Sequence, residues 1–291
     1  MRVFYLLLSS FVALAAQAQY PAPTTPRVVR NLPYVANAGP RHVLDLYLPQ
    51  HASTPCPLVI WIHGGGWSSG TKQDCPPRSL LPFGYAAASL EYRLSQDAIF
   101  PAQIEDCKAA IRWLRAQAGQ YGIDPKRIGV WGGSAGGHLV ALLGVTGRIK
   151  DFDTGENLDQ SSAVQCVVDF FGPTDFIHWG NVPDPRLDTA SSAIARLIGG
   201  TILTHLAAAR SASPIYYVSK DAAPFLIVHG DKDPVVPLQQ SQILEAALQK
   251  AGVASTLRVI PGGGHGGPGF GTVEVNKQIL EFFNLHLKPQ G

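Results

Sequence analysis

Short apolar runs alternate along this chain with stretches whose apolar residues recur at helical spacing. Leu58-Val59-Ile60-Trp61-Ile62 and Phe225-Leu226-Ile227-Val228 are continuous, the pattern of strands buried on both faces. Further strands are expected at Val28-Val29, at Val43 to Leu48 (which begins by alternating), at Tyr85 to Leu90, at Ile128 to Trp131, at Val164 to Phe171 and at Thr256 to Ile260. Between them, Ile104, Cys107, Ile111, Leu114 and Ala118 fall three or four residues apart and predict an amphipathic helix ending at Gly119 and Gly122. Asp124-Pro125 then predicts a turn. Helices are also expected after Ser134 through Leu139, Leu142 and Leu143, around Ile194, Leu197 and Ile198, from about 238 to 251 and from about 272 to 287. Strands alternating with helices predict an α/β fold: a mostly parallel central sheet flanked by helices on both faces, with right-handed crossovers. The stretch from Asp175 to Ser213, with its Pro183-Asp184-Pro185 turn, is less regular and reads as a small cap insertion.

Composition narrows the picture in two places. Of 291 residues 46% are hydrophobic and 15% charged, with a formal charge of +2, so there is no basic patch for nucleic acid and no acidic tail. At the start, Arg2 precedes an apolar run from Val3 to Ala16 that ends in Ala16-Gln17-Ala18 and then Tyr20-Pro21-Ala22-Pro23. This is the form of a secretory signal peptide over residues 1–18, leaving a single domain over 19–291 with no membrane anchor, secreted or periplasmic. Cys56, Cys75, Cys107 and Cys166 would then reach an oxidising compartment. Cys107 and Cys166 fall at core positions. Cys56 and Cys75 bracket one strand and loop and are the better placed pair if a disulfide forms. No C-x-x-C pair or His/Cys cluster points to a metal, and no cofactor is expected.

In open parallel sheets functional residues gather beyond the carboxyl ends of the strands. Four such positions carry chemistry here. After Ile128 to Trp131 comes Gly132-Gly133-Ser134-Ala135-Gly136, a G-x-S-x-G corner in which glycines flank a serine between strand and helix. After Leu58 to Ile62 comes His63-Gly64-Gly65-Gly66-Trp67, whose glycines let the backbone turn its N–H groups toward one point. After Phe225 to Val228 comes His229-Gly230-Asp231-Lys232-Asp233-Pro234-Val235-Val236-Pro237, with two aspartates able to orient a histidine. After Thr256 to Ile260 comes Gly262-Gly263-Gly264-His265-Gly266-Gly267, where one histidine stands among glycines; no Gly-Lys-Ser/Thr follows, which excludes the usual phosphate loop.

With Tyr92-Arg93-Leu94-Ser95, Phe100-Pro101-Ala102 and Phe171-Gly172-Pro173-Thr174-Asp175, these motifs resemble the esterase/lipase group of α/β-hydrolases, in particular the bifunctional feruloyl and acetyl-xylan esterase type, across nearly the whole mature chain. The resemblance implies Ser134 as nucleophile, Asp233 as acid through the H-G-x-x-D-x-x-V-P pattern, and His265 as general base, in the chain order Ser, Asp, His. It implies an oxyanion hole from the N–H groups of Gly65, Gly66 and Ala135. Asp231 is left to shape its loop, and His63, His138 and His229 to structural roles. Trp67, Trp179 and Phe270 are the candidates for lining the substrate pocket.

The implied activity is hydrolysis of short-chain or aromatic esters, acetyl or feruloyl groups on a small molecule or a plant polysaccharide, through an acyl-enzyme. An amidase, arylformamidase or peptidase using the same three residues is the competing expectation, and a non-catalytic binding protein on this scaffold is a third. About 44 residues separate the expected cleavage site from His63, little room for an N-terminal helical cap. That leaves an accessible site suited to bulky esters.

Overall fold

The computed structural model describes residues 25–36, 39–50, 55–179 and 189–288. The expected signal peptide and the Pro183–Pro185 turn lie outside them. Among the described residues eight strands form one sheet: β1 (Arg27–Pro33), β2 (Val43–Leu48), β3 (Cys56–Ile62), β4 (Ala86–Leu90), β5 (Ile123–Gly133), β6 (Cys166–Phe170), β7 (Phe225–Gly230) and β8 (Ser255–Ile260). Their order is β1-β2-β4-β3-β5-β6-β7-β8. From β4 onward every pairing is parallel, and only β1–β2 and β2–β4 are antiparallel. The α/β architecture expected from the alternating pattern is the one found.

The continuous apolar runs become the central strands because both faces of the sheet are covered. Leu58, Ile60 and Ile62 of β3 point into the larger core, while Val59 points into the opposite one, as the two-residue period requires. On the larger side pack α1 (Ala102–Ala116) and α3 (Ala135–Val145), with α2 (Ala118–Tyr121) a single turn after α1. The insertion contributes α4 (Ala193–Ile198) and α5 (Leu206–Ser211), followed by α6 (Gln239–Lys250). The opposite face is closed by α7 (Val273–Leu287), which buries Val275, Ile279, Phe283 and Leu287 at four-residue steps. Thr272 starts that helix by accepting from the Val275 N–H at 3.3 Å. All eleven residues of α3 are buried, so the helix that follows Ser134 has no solvent face.

Three local expectations need correction. The Asp124-Pro125 turn does not precede β5 but lies inside it: Cys56 pairs with Ile123, and the register then slips before Leu58 meets Ile128. A 3-10 stretch, Pro76–Phe83, forms where no element was expected, started by its own prolines. Cys56 and Cys75 are both free, as are Cys107 and Cys166. The first pair cannot meet, because Cys56 belongs to the core on one face of the sheet and Cys75 to a small cluster with Tyr47 and Ala87 on the other.

Candidate active site

The strand-to-helix corner is forced by contact. A Cβ on Gly132 would be driven into the carbonyl of Gly136, and one on Gly136 into the carbonyl of Ile62 on β3, so both positions require glycine. Ser134 between them takes φ 57° and ψ −121°, a conformation that costs energy for a residue with a side chain and holds it clear of the turn. Its N–H donates to Phe170 O at 2.8 Å and its carbonyl accepts from His138 N at 2.9 Å, anchoring the corner to β6 and α3.

Ser134 Oγ lies 2.8 Å from His265 Nε2, and His265 Nδ1 lies 2.7 Å from Asp233 Oδ2. A carboxylate only accepts, so Nδ1 carries the imidazole proton and Nε2 presents a lone pair to the serine hydroxyl. The loops holding the two partners are stitched together: Lys232 N donates to Gly263 O at 2.8 Å, and Gly262 N to Asp231 Oδ1 at 2.7 Å. Asp231 thus shapes the loop, as expected. Asp233 Oδ1 accepts from the N–H groups of Val235 (2.7 Å) and Val236 (2.9 Å). Burial opposes ionisation of this carboxyl, but hydrogen bonds from His229, His265 and the two backbone groups outweigh it and hold the carboxyl well below the usual range.

The glycine loop after β3 lies against the corner, since a Cβ on Gly64 would stand 3.4 Å from Ser134 Cβ. Gly65, Gly66 and Trp67 all have positive φ (108°, 58° and 55°), which curls the loop. Ser68 N and Ser69 N fasten it by donating to Gly65 O at 3.1 and 3.0 Å. The N–H groups of Gly65 and Gly66 have no acceptor among the described residues. Ala135 opens α3, where N–H groups lack intrahelical partners. His63 braces the loop from behind: its Nδ1–H donates to Gly64 O at 2.8 Å, its ring stacks on Tyr92 at 4.4 Å, and its carbonyl accepts from Tyr92 Oη at 2.9 Å. Burial lowers the pKa of this histidine.

A family model described as BD-FAE matches residues 44–248. The chain belongs to the BD-FAE family. This BD-FAE chain is similar to a truncated carbohydrate esterase from gut microbiota at 38% identity and TM-score 0.86, covering 93% of this chain and 100% of that one. It is also similar to a bifunctional GH43-CE protein of Bacteroides eggerthii at 34% identity and TM-score 0.82, covering 89% of this chain and 35% of the other. The esterases LipQ and LipC of Mycobacterium tuberculosis are 33% and 32% identical across 77% and 78% of this chain, but 53% and 57% of their own. The chain therefore spans about half the length of these curated relatives. Sheet, helices and neighbours together make the fold an α/β-hydrolase fold.

The aromatic expectations fare less well in this BD-FAE domain. Trp67 is only 3% exposed. Its indole N–H donates to His138 Nδ1 at 3.1 Å, and its ring packs edge-on against His138 and Phe176. His138 in turn donates from Nε2 to Ala212 O at 2.6 Å, and burial pushes its pKa down to about 4. Phe270 is buried and packs behind Phe171, ring centroids 4.9 Å apart. Trp179 is half-buried against the main core. The aromatic ring that does meet the site is Phe171, whose centroid lies 4.6 Å from that of His265. Sequence reasoning missed it, although it follows β6 directly and the strand-end rule that located the other residues would have found it. On the glycine-loop side α4 closes in, with Ala193 Cβ 3.5 Å from where a Gly66 Cβ would stand.

Proposed function

We propose that this protein is a serine carboxylesterase acting on short-chain or aromatic esters, acetyl or feruloyl groups among them, borne by plant polysaccharide or small molecules. The observation that carries this is the hydrogen-bonded series Ser134–His265–Asp233, with spacings of 2.8 and 2.7 Å, beside a glycine loop whose Gly65 and Gly66 N–H groups have no acceptor among the described residues. His265 Nε2 takes the proton of Ser134 as its oxygen attacks the ester carbonyl, and the imidazolium that forms is held by Asp233. The developing oxyanion is received by the N–H groups of Gly65, Gly66 and Ala135, each such donor being worth roughly 10²–10³ in rate. His265 then protonates the leaving alcohol, and water repeats the sequence on the acyl-enzyme to release the acid.

The carbohydrate side of the proposal draws on the names of similar proteins, including the acetyl ester-xyloside bifunctional hydrolase of Caldicellulosiruptor lactoaceticus at 27% identity and TM-score 0.65. Among the described residues no helix is long and apolar enough to cross a membrane. The leader read at residues 1–18 directs the rest of the chain out of the cytoplasm. The test is Ser134→Ala against p-nitrophenyl acetate, acetylated xylan, methyl ferulate and N-formylkynurenine. Wild-type turnover of the first three and none by the variant is expected. A folded Ser134→Ala protein with full esterase activity refutes the nucleophile, and turnover of N-formylkynurenine alone moves the function to formamide hydrolysis.

A further inference from the structure

Asp233 is held by more than the mechanism above uses. His265 Nδ1 reaches its Oδ2 at 2.7 Å, and the buried ring of His229 brings Nε2 to 3.3 Å from the same oxygen. His229 Nε2 also lies 2.9 Å from Val236 O, and His229 Nδ1 lies 2.6 Å from Ser241 Oγ on α6. Both neighbours of Nε2 are oxygens that only accept, so Nε2 carries the proton, and in the neutral ring Nδ1 accepts from the Ser241 hydroxyl. The result is a directed series of donors: Ser241 O–H to His229, His229 N–H to Val236 O and Asp233 Oδ2, and His265 N–H to that same Oδ2. The side chains of His229 and Asp233 are wholly buried, as is Ser241, so water does not compete with these bonds.

We propose that His229 is a positioning residue for the acid of this site: its Nε2–H shares Asp233 Oδ2 with His265, fixing the carboxylate and limiting how much negative charge His265 meets. This rests on the assignment of Ser134, His265 and Asp233 made above. Each N–H donated to a carboxylate stabilises its charge, so an oxygen that already accepts one donor presents less unsatisfied charge to a second. His229 therefore keeps the general base from being over-stabilised in its protonated form, which would leave it unable to take the Ser134 proton. Apart from His265, the groups that the packed elements turn toward this pair among the described residues do not ionise. β7 supplies His229; the β6 side supplies Phe171, α6 the Ser241 hydroxyl and the start of α3 the Ser134 hydroxyl. Asp231 on the same loop is engaged with Gly262 N, and Lys232 is exposed.

The test compares His229→Asn with His229→Gln in the full chain. Asparagine ends near the position of Nδ1 and keeps a group for Ser241 but cannot reach Asp233, whereas glutamine places an N–H at the Nε2 position. His229→Asn is expected to lower kcat roughly 3–10-fold with KM little changed, and to move the acidic limb of kcat/KM upward by roughly 0.5–1 pH unit. His229→Gln restores both toward wild type. A residue that merely braces the turn would lower stability without moving the limb, so an unmoved limb in a folded His229→Asn protein overturns the proposal. If that variant does not fold, Ser241→Ala, which loosens the His229 ring, is expected to move the limb in the same direction by less, and an unmoved limb there overturns it equally. Labelling Ser134 with a fluorophosphonate separates the two levels. Labelled, active protein whose limb stays fixed refutes the role of His229 alone, whereas unlabelled wild type refutes the assignment beneath it.

Discussion

Asp169 offers the sharpest energetic test of how this core is built. It sits on β6 opposite Gly132, is wholly buried, and accepts from Gly172 N at 2.9 Å through Oδ1, while Oδ2 has no hydrogen-bond partner among the described residues. Burial raises its pKa to about 7 from the ordinary 3.8, only partly offset by the Gly172 N–H. The folded state thus holds this proton more tightly than the unfolded chain does. Stability from this group is full below about pH 4 and is lost as pH rises toward 7, reaching a penalty of about 4 kcal/mol by pH 8 (about three pH units at 1.36 kcal/mol each). Asp169→Asn keeps an oxygen for Gly172 and cannot ionise, but buries an amide NH2 at a cost of about 1–3 kcal/mol. The variant is therefore expected to be about 1–3 kcal/mol more stable than wild type at pH 8 and, because about 1 kcal/mol of the wild-type penalty is already present at pH 4.5, less stable by only about 0–2 kcal/mol there. Urea unfolding of both proteins from pH 4.5 to 8.5 measures the difference, and groups common to both cancel. A difference that does not move in favour of the variant by about 3 kcal/mol between pH 4.5 and pH 8 refutes the account of this carboxyl.

Other outcomes follow from the same contacts. Gly136→Ala pushes a methyl into the Ile62 and His63 carbonyls and should abolish fluorophosphonate labelling or folding, so a variant with wild-type kcat would show that the corner tolerates a side chain. Burial pushes the Cys75 thiol up to about 12 and raises those of Cys56, Cys107 and Cys166 as well. A thiol reagent should therefore find almost nothing in the native protein and four groups in urea without reductant; a count below four would mean that a bond had formed. Phe171→Ala removes the wall behind His265 and should cost roughly 3–10-fold in kcat on p-nitrophenyl acetate, in proportion to a lost aromatic contact of about 0.5–1.5 kcal/mol.

Much of this molecule was legible because the informative residues are local. Ser134, Asp233 and His265 each follow a strand, and a parallel sheet brings the ends of its strands together whatever lies between them. Partners chosen across the fold were not legible. Nothing near Trp67 says that its indole turns inward onto His138, seventy-one residues away, instead of facing a substrate. His229 ends a strand in the sequence, and only the start of α6 folding back with Ser241 shows where its ring must point. The Cys56–Cys75 expectation failed for a related reason: closeness along the chain does not say on which face of a sheet a side chain emerges. The antiparallel entry of β1 and β2 and the β4–β3 reversal are likewise matters of chain crossing, not of residue type.

The absence of any solvent face on α3 has a consequence for how the protein fails. A surface helix can fray or detach while the rest of a domain persists. This one cannot open without separating the sheet from α1, so its amides should exchange only when the whole domain unfolds. The serine at its head shares that fate. Heating should abolish turnover and structure in one transition, while exposed or half-buried segments such as the start of α4 can loosen first and alter what the site accepts. Durability of the chemistry and adaptability of the substrate range thus reside in different parts of the chain.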